Sequence, residues 1–160
     1  MIIAGKYEVM DKVGQGGMGI VYRVHHVDLD AILALKMLPR ELSQDPQLVE
    51  RFRLEARVMA RLNHANIVRV FDFAQDGDTY YLVMEFLSGK NLRQVLQETM
   101  QRTKRPLPLS EVLRAGKQIA DALAYAHGQT PAVVHRDIKP SNIIIEDKTA
   151  RAVVTDFGIA

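Results

Sequence analysis

His135-Arg136-Asp137-Ile138-Lys139-Pro140-Ser141-Asn142 is the stretch whose reading decides the fold. Its polar side chains would be costly to bury between apolar strands, so it reads as a loop held by rigid neighbours, and such loops carry sites. Downstream, Thr155-Asp156-Phe157-Gly158 follows the apolar pair Val153-Val154. Asp137, Asp156 and the amide of Asn142, converging at strand ends, make an oxygen-ligand set suited to Mg²⁺. Either piece alone is an ordinary polar turn. Together they are not, because eight such fixed residues arise by chance about once in 10^10 starting points.

The flanking sequence supplies the rigid neighbours. Residues 132–134, 143–146 and 151–154 read as short strands. Upstream, Ser110 is placed to cap a long helix in which Val112, Ala115, Ile119, Leu123 and Ala126 share one side. Another helix runs from Asn91 to about Gln101, and a loop rich in proline and basic residues spans 102–108. Its Arg102, Lys104 and Arg105 read as a solvated loop face.

The character changes at Ser88-Gly89, and the sequence before it is mainly strands. Residues 7–13 and 20–26 flank the cluster Gly14-Gln15-Gly16-Gly17-Met18-Gly19, which predicts a hairpin with a glycine-rich turn. In the strand at 32–38, Leu33, Leu35 and Met37 share one face while Ala34, Lys36 and Leu38 share the other. A helix follows, with Asp45 as its cap, Pro46 at its first position and Leu48, Phe52, Met59 and Leu62 at helical spacing. Two more strands, 67–74 and 79–86, enclose the turn Gln75-Asp76-Gly77-Asp78.

Two features of this half carry chemistry. Gly14-x-Gly16-x-x-Gly19-x-Val21 lets backbone N–H groups approach phosphate oxygens with no Cβ in the way, although alone it could be a flexible hairpin tip. The dinucleotide-fold version of that pattern needs a helix after the third glycine, and here a strand follows. Glu55 lies in the apolar stripe of the helix, where an unpaired charge is expensive, so it needs a cation. Lys36, on the strand just before the helix, is the expected partner. The alternative, Arg51 one turn earlier, would form only a helix-edge pair worth about 0.3 kcal/mol.

With these residues in place, the sequence resembles the eukaryotic-type (Hanks-type) serine/threonine protein kinases, in texture the bacterial members. The resemblance rests on the glycine loop, Leu33-Ala34-Leu35-Lys36, Glu55, Val83-Met84-Glu85-Phe86-Leu87, the 135–142 loop and Asp156-Phe157-Gly158, all in the family's order. It implies an α+β, two-lobed fold. Residues 1–87 would form an N-lobe with a five-stranded antiparallel sheet and one helix, and 88–160 part of a mainly helical C-lobe, with ATP in the cleft.

The resemblance also implies roles. Gly14, Gly16 and Gly19 would cover the phosphates, with Val13 in the same ATP-binding set. Lys36 would bind the α- and β-phosphates, held by Glu55. Val21, Ala34 and Ile144 would sandwich the adenine, Met84 would back the pocket, and the backbone of Glu85 and Leu87 would bond the adenine edge. Asp137 would accept the proton of a substrate hydroxyl, and Lys139, the serine/threonine-type mark, would neutralise charge on the moving phosphoryl group. Asn142 and Asp156 would bind Mg²⁺. Met59, Val70, His135 and Phe157 would stack into an apolar column, and Arg136 would answer phosphorylation of an activation loop.

The sequence ends two residues past Gly158, before the family's activation segment. The expectation is therefore a polypeptide inactive alone, with the apolar side of the Ile119 and Leu123 helix uncovered, and a nucleotide-binding pseudokinase or scaffold module as the alternative reading. The longer turn 128–132 should only extend the surface.

Composition fits a globular protein: 48% of the 160 residues are hydrophobic and 25% charged, with no cysteine to build disulfides or thiolate zinc sites. The 21 Lys and Arg nearly balance 19 Asp and Glu, so no nucleic-acid partner is expected. Neither a signal peptide nor a membrane span is expected, which points to the cytoplasm. The expected partner is a protein carrying Ser or Thr, and no pattern defines an oligomeric state. His25, His26, His64 and His127 show no ligand spacing and are expected in surface or capping roles.

Overall fold

The structure is a computed structural model that describes residues 1–16 and 19–157. Gly17 and Met18 of the glycine cluster, and Gly158 of the last motif, lie outside the described residues. The chain divides into two compact units. Met1–Arg61 with Arg69–Phe86 form one, while Leu62–Val68 and the chain from Leu87 onward form the other.

The first unit is an antiparallel sheet with one helix. Its strands are β1 (Ile2–Ile3), β2 (Tyr7–Gly16), β3 (Gly19–His26), β4 (Ala31–Met37), β5 (Val70–Asp76) and β6 (Thr79–Glu85), in the order β1-β2-β3-β4-β6-β5. The five strands expected from sequence are present, and the two-residue β1 adds a sixth at the edge. Period-two alternation sorts β4 as expected. Leu33, Leu35 and Met37 pack with Ile3, Tyr7, Val24, Tyr81 and Val83, whereas Leu38 on the other face packs with Phe52, Ala56 and Leu82.

Helix α1 (Pro46–Ala60) starts where the sequence placed it. The Asp45 carboxylate accepts from the N–H groups of Gln47 and Leu48 at 2.8 and 3.4 Å, and Pro46 takes the first helical position. Burying Phe52 completely is worth about 2–3 kcal/mol to the docking of this helix. The strand expected from residue 67 instead begins at Val70. Ile67 and Val68 are claimed by the other unit, where Ile67 bridges Val154 and the Val68 N–H donates to the Val154 carbonyl at 3.0 Å.

The second unit holds a three-stranded sheet of β7 (Gly89–Asn91), β8 (Ile143–Glu146) and β9 (Ala152–Val154), with helices α2 (Leu92–Thr103) and α3 (Leu109–His127). Gly89 is required in β7, because a Cβ there would collide with the backbone carbonyl of Ile145. Asn91 caps α2 in a capping box with Gln94, and Lys104 closes the helix in the left-handed conformation.

Two expectations fail here. Ser110 does not cap α3: Pro108 occupies the cap position and Ser110 lies inside the first turn. Residues 132–134 form an irregular connection rather than a strand, after a cis Thr130–Pro131 peptide. The buried residues of α3 are Ala122 and Ala126, while Val112 is 48% exposed and Ile119 and Leu123 are half-buried. The packing partner decides this, since α3 lies on the fully buried β9 and small side chains allow close approach. No helix among the described residues is long and apolar enough to cross a membrane.

Candidate active site

In the first unit, β4 and α1 bring Lys36 and Glu55 together. Lys36 shares its sheet face with Leu38, the face on which Phe52 and Ala56 of α1 pack. Its Nζ donates to Glu55 Oε1 at 2.8 Å, with side chains only 9% and 2% exposed. The ammonium also lies 6.0 Å from the centre of the Phe52 ring. The helix-edge alternative with Arg51 is not what forms, because Glu55 faces the sheet and Arg51 faces solvent.

The glycine hairpin sits beside this pair. Gly14 is paired with Val21 and Gly16 with Gly19, and Val21 is paired with Lys36. At Gly19 the backbone has φ +156, and a Cβ would press 2.6 Å from the Met37 carbonyl oxygen, so glycine is structurally demanded there. At Gly14 and Gly16 a Cβ would meet open space, so their backbone can be approached. Val13, in the register shift of β2, is exposed. Ala34 is buried opposite Met84. The Glu85 N–H donates to the Arg69 carbonyl at 2.9 Å, so a backbone bond from Glu85 to a ligand would run through its carbonyl.

In the second unit the polar loop is tied into one knot. Nδ2 of Asn142 donates to the Asp137 carbonyl at 2.9 Å and to Asp137 Oδ2 at 3.0 Å. Both amide N–H bonds are thus spent on Asp137, which turns the Asn142 side-chain oxygen away from it. The Lys139 ammonium sits 2.7 Å from the same Oδ2. That hydrogen bond, helped by the Asn142 amide, holds the Asp137 carboxyl below its ordinary value. Thr155 closes the knot from the other strand end, its N–H and hydroxyl both donating to the Asn142 carbonyl.

His135 is buried beneath this loop. Its Nδ1 accepts from the Asp137 N–H at 3.2 Å, which fixes the proton on Nε2, and Nε2 donates to the Thr155 carbonyl at 2.9 Å. The Phe157 ring lies 4.6 Å away, centre to centre. Arg136 and Asp156 adopt positive φ, +63 and +52, an uncommon conformation for such residues that clusters at functional sites. Asp156 is thereby exposed directly after the Thr155 that grips Asn142. Ile144, on β8 between Asn91 and Val153, is half-buried, as is Leu87.

The donor set fits a hard cation with ligands of its own. No group of three or more His, Cys, Asp or Glu side chains able to hold a metal occurs among the described residues. Asn142 and Asp156 instead offer one amide oxygen and one carboxylate, the pattern for Mg²⁺, which keeps waters and phosphate oxygens as remaining ligands.

Sequence reasoning assigned Thr155 nothing, although it is the residue that locks the two motifs together. His26 caps a turn as expected, its Nδ1 accepting from the Leu29 N–H at 3.3 Å, but its ring is buried edge-on against Tyr7 rather than at the surface. Met59 is fully buried and Val70 half-buried. His64 does cap a turn, its Nδ1 accepting from the Asn66 N–H.

Residues 7–160 match the protein kinase domain family, to which this chain belongs. It is 39% identical to the serine/threonine-protein kinase PrkC of Bacillus subtilis and 41% identical to serine/threonine-protein kinase pkn3 of Myxococcus xanthus, each over 99% of the chain. A match of 40% identity joins it to the serine/threonine-protein kinase PknA of Mycobacterium tuberculosis. The chain spans 23%, 28% and 36% of the length of these three relatives. Among solved structures, the kinase domain of Mycobacterium tuberculosis PknI is similar at a TM-score of 0.81 and 33% identity, covering 100% of this chain and 62% of that one.

Proposed function

We propose that these residues are the nucleotide-binding part and catalytic loop of an ATP- and Mg²⁺-dependent serine/threonine protein kinase, working on proteins in the cytoplasm. The observation that carries this reading is the loop knot, in which one amide and one ammonium converge on a single oxygen of Asp137. A carboxylate held below its ordinary value is a weak base. Asp137 therefore orients a serine or threonine hydroxyl and takes its proton late, as the new oxygen–phosphorus bond forms and the β–γ bridging bond breaks to leave ADP. Lys139 then stands where charge on the moving phosphoryl group needs neutralising.

Lys36, held by Glu55, takes α- and β-phosphate oxygens. Val13, Gly14, Gly16 and Gly19 line their path, and Val21, Ala34, Met84 and Ile144 offer apolar surface to the adenine, with Glu85 and Leu87 giving backbone bonds. Mg²⁺, held by Asn142 and Asp156, supplies electrostatic clamping of the phosphates.

The test is titration of the 160-residue chain with ATP, with and without Mg²⁺. Binding is expected to need Mg²⁺ and to be lost in Lys36→Met. Binding that survives Lys36→Met would sink the reading, and vigorous phosphotransfer that Asp137→Asn does not abolish would sink the role of the loop.

A further inference from the structure

We propose that Arg23 is a positioning residue for the nucleotide, a role that rests on the reading just given. Its guanidinium fixes the outer lip of the sheet face that bears Val21 and Ala34.

Arg23 lies two residues from Val21 on β3, so the two side chains share a face. The register sets Asp11 opposite Arg23, Arg23 opposite Ala34 and Ala34 opposite Met84, one row across four strands. Nε and an Nη of Arg23 donate to the two Asp11 oxygens at 3.0 and 2.8 Å, the two-pronged geometry that only arginine provides. The same guanidinium lies 5.7 Å from the centre of the Phe86 ring.

Each partner sits where chain geometry would otherwise be loose. Asp11 lies between two register shifts of β2, at Val9/Asp11 and Lys12/Gly14, where a strand bends and twists most readily. Phe86 is the first residue after β6, directly following Glu85. Arg23 thus joins the irregular strand leading into the glycine turn to the end of the strand offering backbone groups to the adenine. An ion pair with Arg23 37% and Asp11 53% exposed contributes little to stability by itself. Its contribution lies in orientation: it holds the Val21–Ala34 face and the Glu85 end at one spacing before nucleotide arrives, and preorganisation of that kind shows in affinity.

The effect is confined to the adenine end, which separates it from general weakening of the fold. ATP and inorganic tripolyphosphate are titrated into the 160-residue chain, with thermal melting in parallel. Arg23→Ala and Phe86→Leu should each weaken ATP binding about five-fold, the size of one exposed cation–π contact. The double variant should be little worse than either. Arg23→Lys, which keeps the charge and loses the fork, should resemble Arg23→Ala. Tripolyphosphate affinity and melting temperature should stay put. Equal loss for ATP and tripolyphosphate, or no loss for ATP, overturns the proposal. Lys36→Met keeps the two readings apart, since it should abolish binding of both ligands, and its failure to do so would count against the phosphate site rather than against Arg23.

Discussion

The candidate site residues of each unit include a lysine–carboxylate pair of nearly the same length, Lys36–Glu55 at 2.8 Å and Lys139–Asp137 at 2.7 Å, in opposite surroundings. The first is almost sealed from water, whereas Lys139 and Asp137 are 51% and 52% exposed. Burial makes the first pair a fixed part of the architecture, because a charge sealed from water is costly without an opposite charge beside it. Exposure leaves the second pair screened and exchangeable. Under the proposed function the two kinds answer two needs, a phosphate anchor that does not move and a carboxylate whose ammonium partner can turn to the phosphoryl group.

The comparison breaks most visibly if one buried partner is removed. Glu55→Ala should cost about 3–5 kcal/mol by urea denaturation, because it leaves the Lys36 ammonium buried without its carboxylate. The double variant Lys36→Met/Glu55→Leu should recover most of that stability while binding no ATP. Asp137→Ala, which costs Asn142 one of its two acceptors, should lower the urea midpoint far less. A midpoint shift for Asp137→Ala as large as that for Glu55→Ala would erase the distinction.

The next effect belongs to Asn142, which is buried although the carboxylate it serves is not. Asn142→Ala removes both donors to Asp137 and should cost about 1 kcal/mol, the net worth of an ordinary hydrogen bond, because the acceptors it leaves belong to an exposed residue. Hydrogen exchange should show the loss at the Thr155 amide, whose acceptor is the Asn142 carbonyl. Unchanged protection there would mean that the side chain does not hold the knot.

The two pairs were unequally legible in the sequence. Lys36–Glu55 followed from two periodicities, alternation along a strand and a helical stripe interrupted by one acid, and both are fixed by local geometry. The knot around Asp137 has no period. Its residues could be named because the motif is specific, but the positive φ of Arg136 and Asp156 and the closure by Thr155 arise only when two strand ends are packed together. The same division explains the misses in the fold. β7 has three residues around a glycine and offers no alternation to read. The stripe on α3 includes the buried Ala126, while contact with β9 adds Ala122, which the stripe lacks. Residues 67 and 68 have strand chemistry, yet the partner strand they found lies in the second unit.

The smallest expected effect tests the exposed pair by pH. The Asp137 carboxyl is held below its ordinary value of 3.8, first by the hydrogen bond from Lys139 and then by that from Asn142. A depressed value means that the folded loop prefers the ionised carboxylate. Its contribution is complete above the ordinary carboxylate value and fades as pH falls through the lowered one. Lys139→Met removes the larger cause, so the Asp137 carboxyl, followed by carbon NMR, should titrate closer to 3.8. Asn142→Asp, which also loses the amide donors, should raise it further by like-charge repulsion. Salt sharpens the contrast, since in 1 M NaCl the Debye length falls to about 3 Å and Asp137 in the unmodified chain should drift upward. The sealed Lys36–Glu55 pair gives salt no such access. An Asp137 titration indifferent to both Lys139→Met and salt would show the exposed ammonium to be a bystander, and the mobile half of the comparison would go with it.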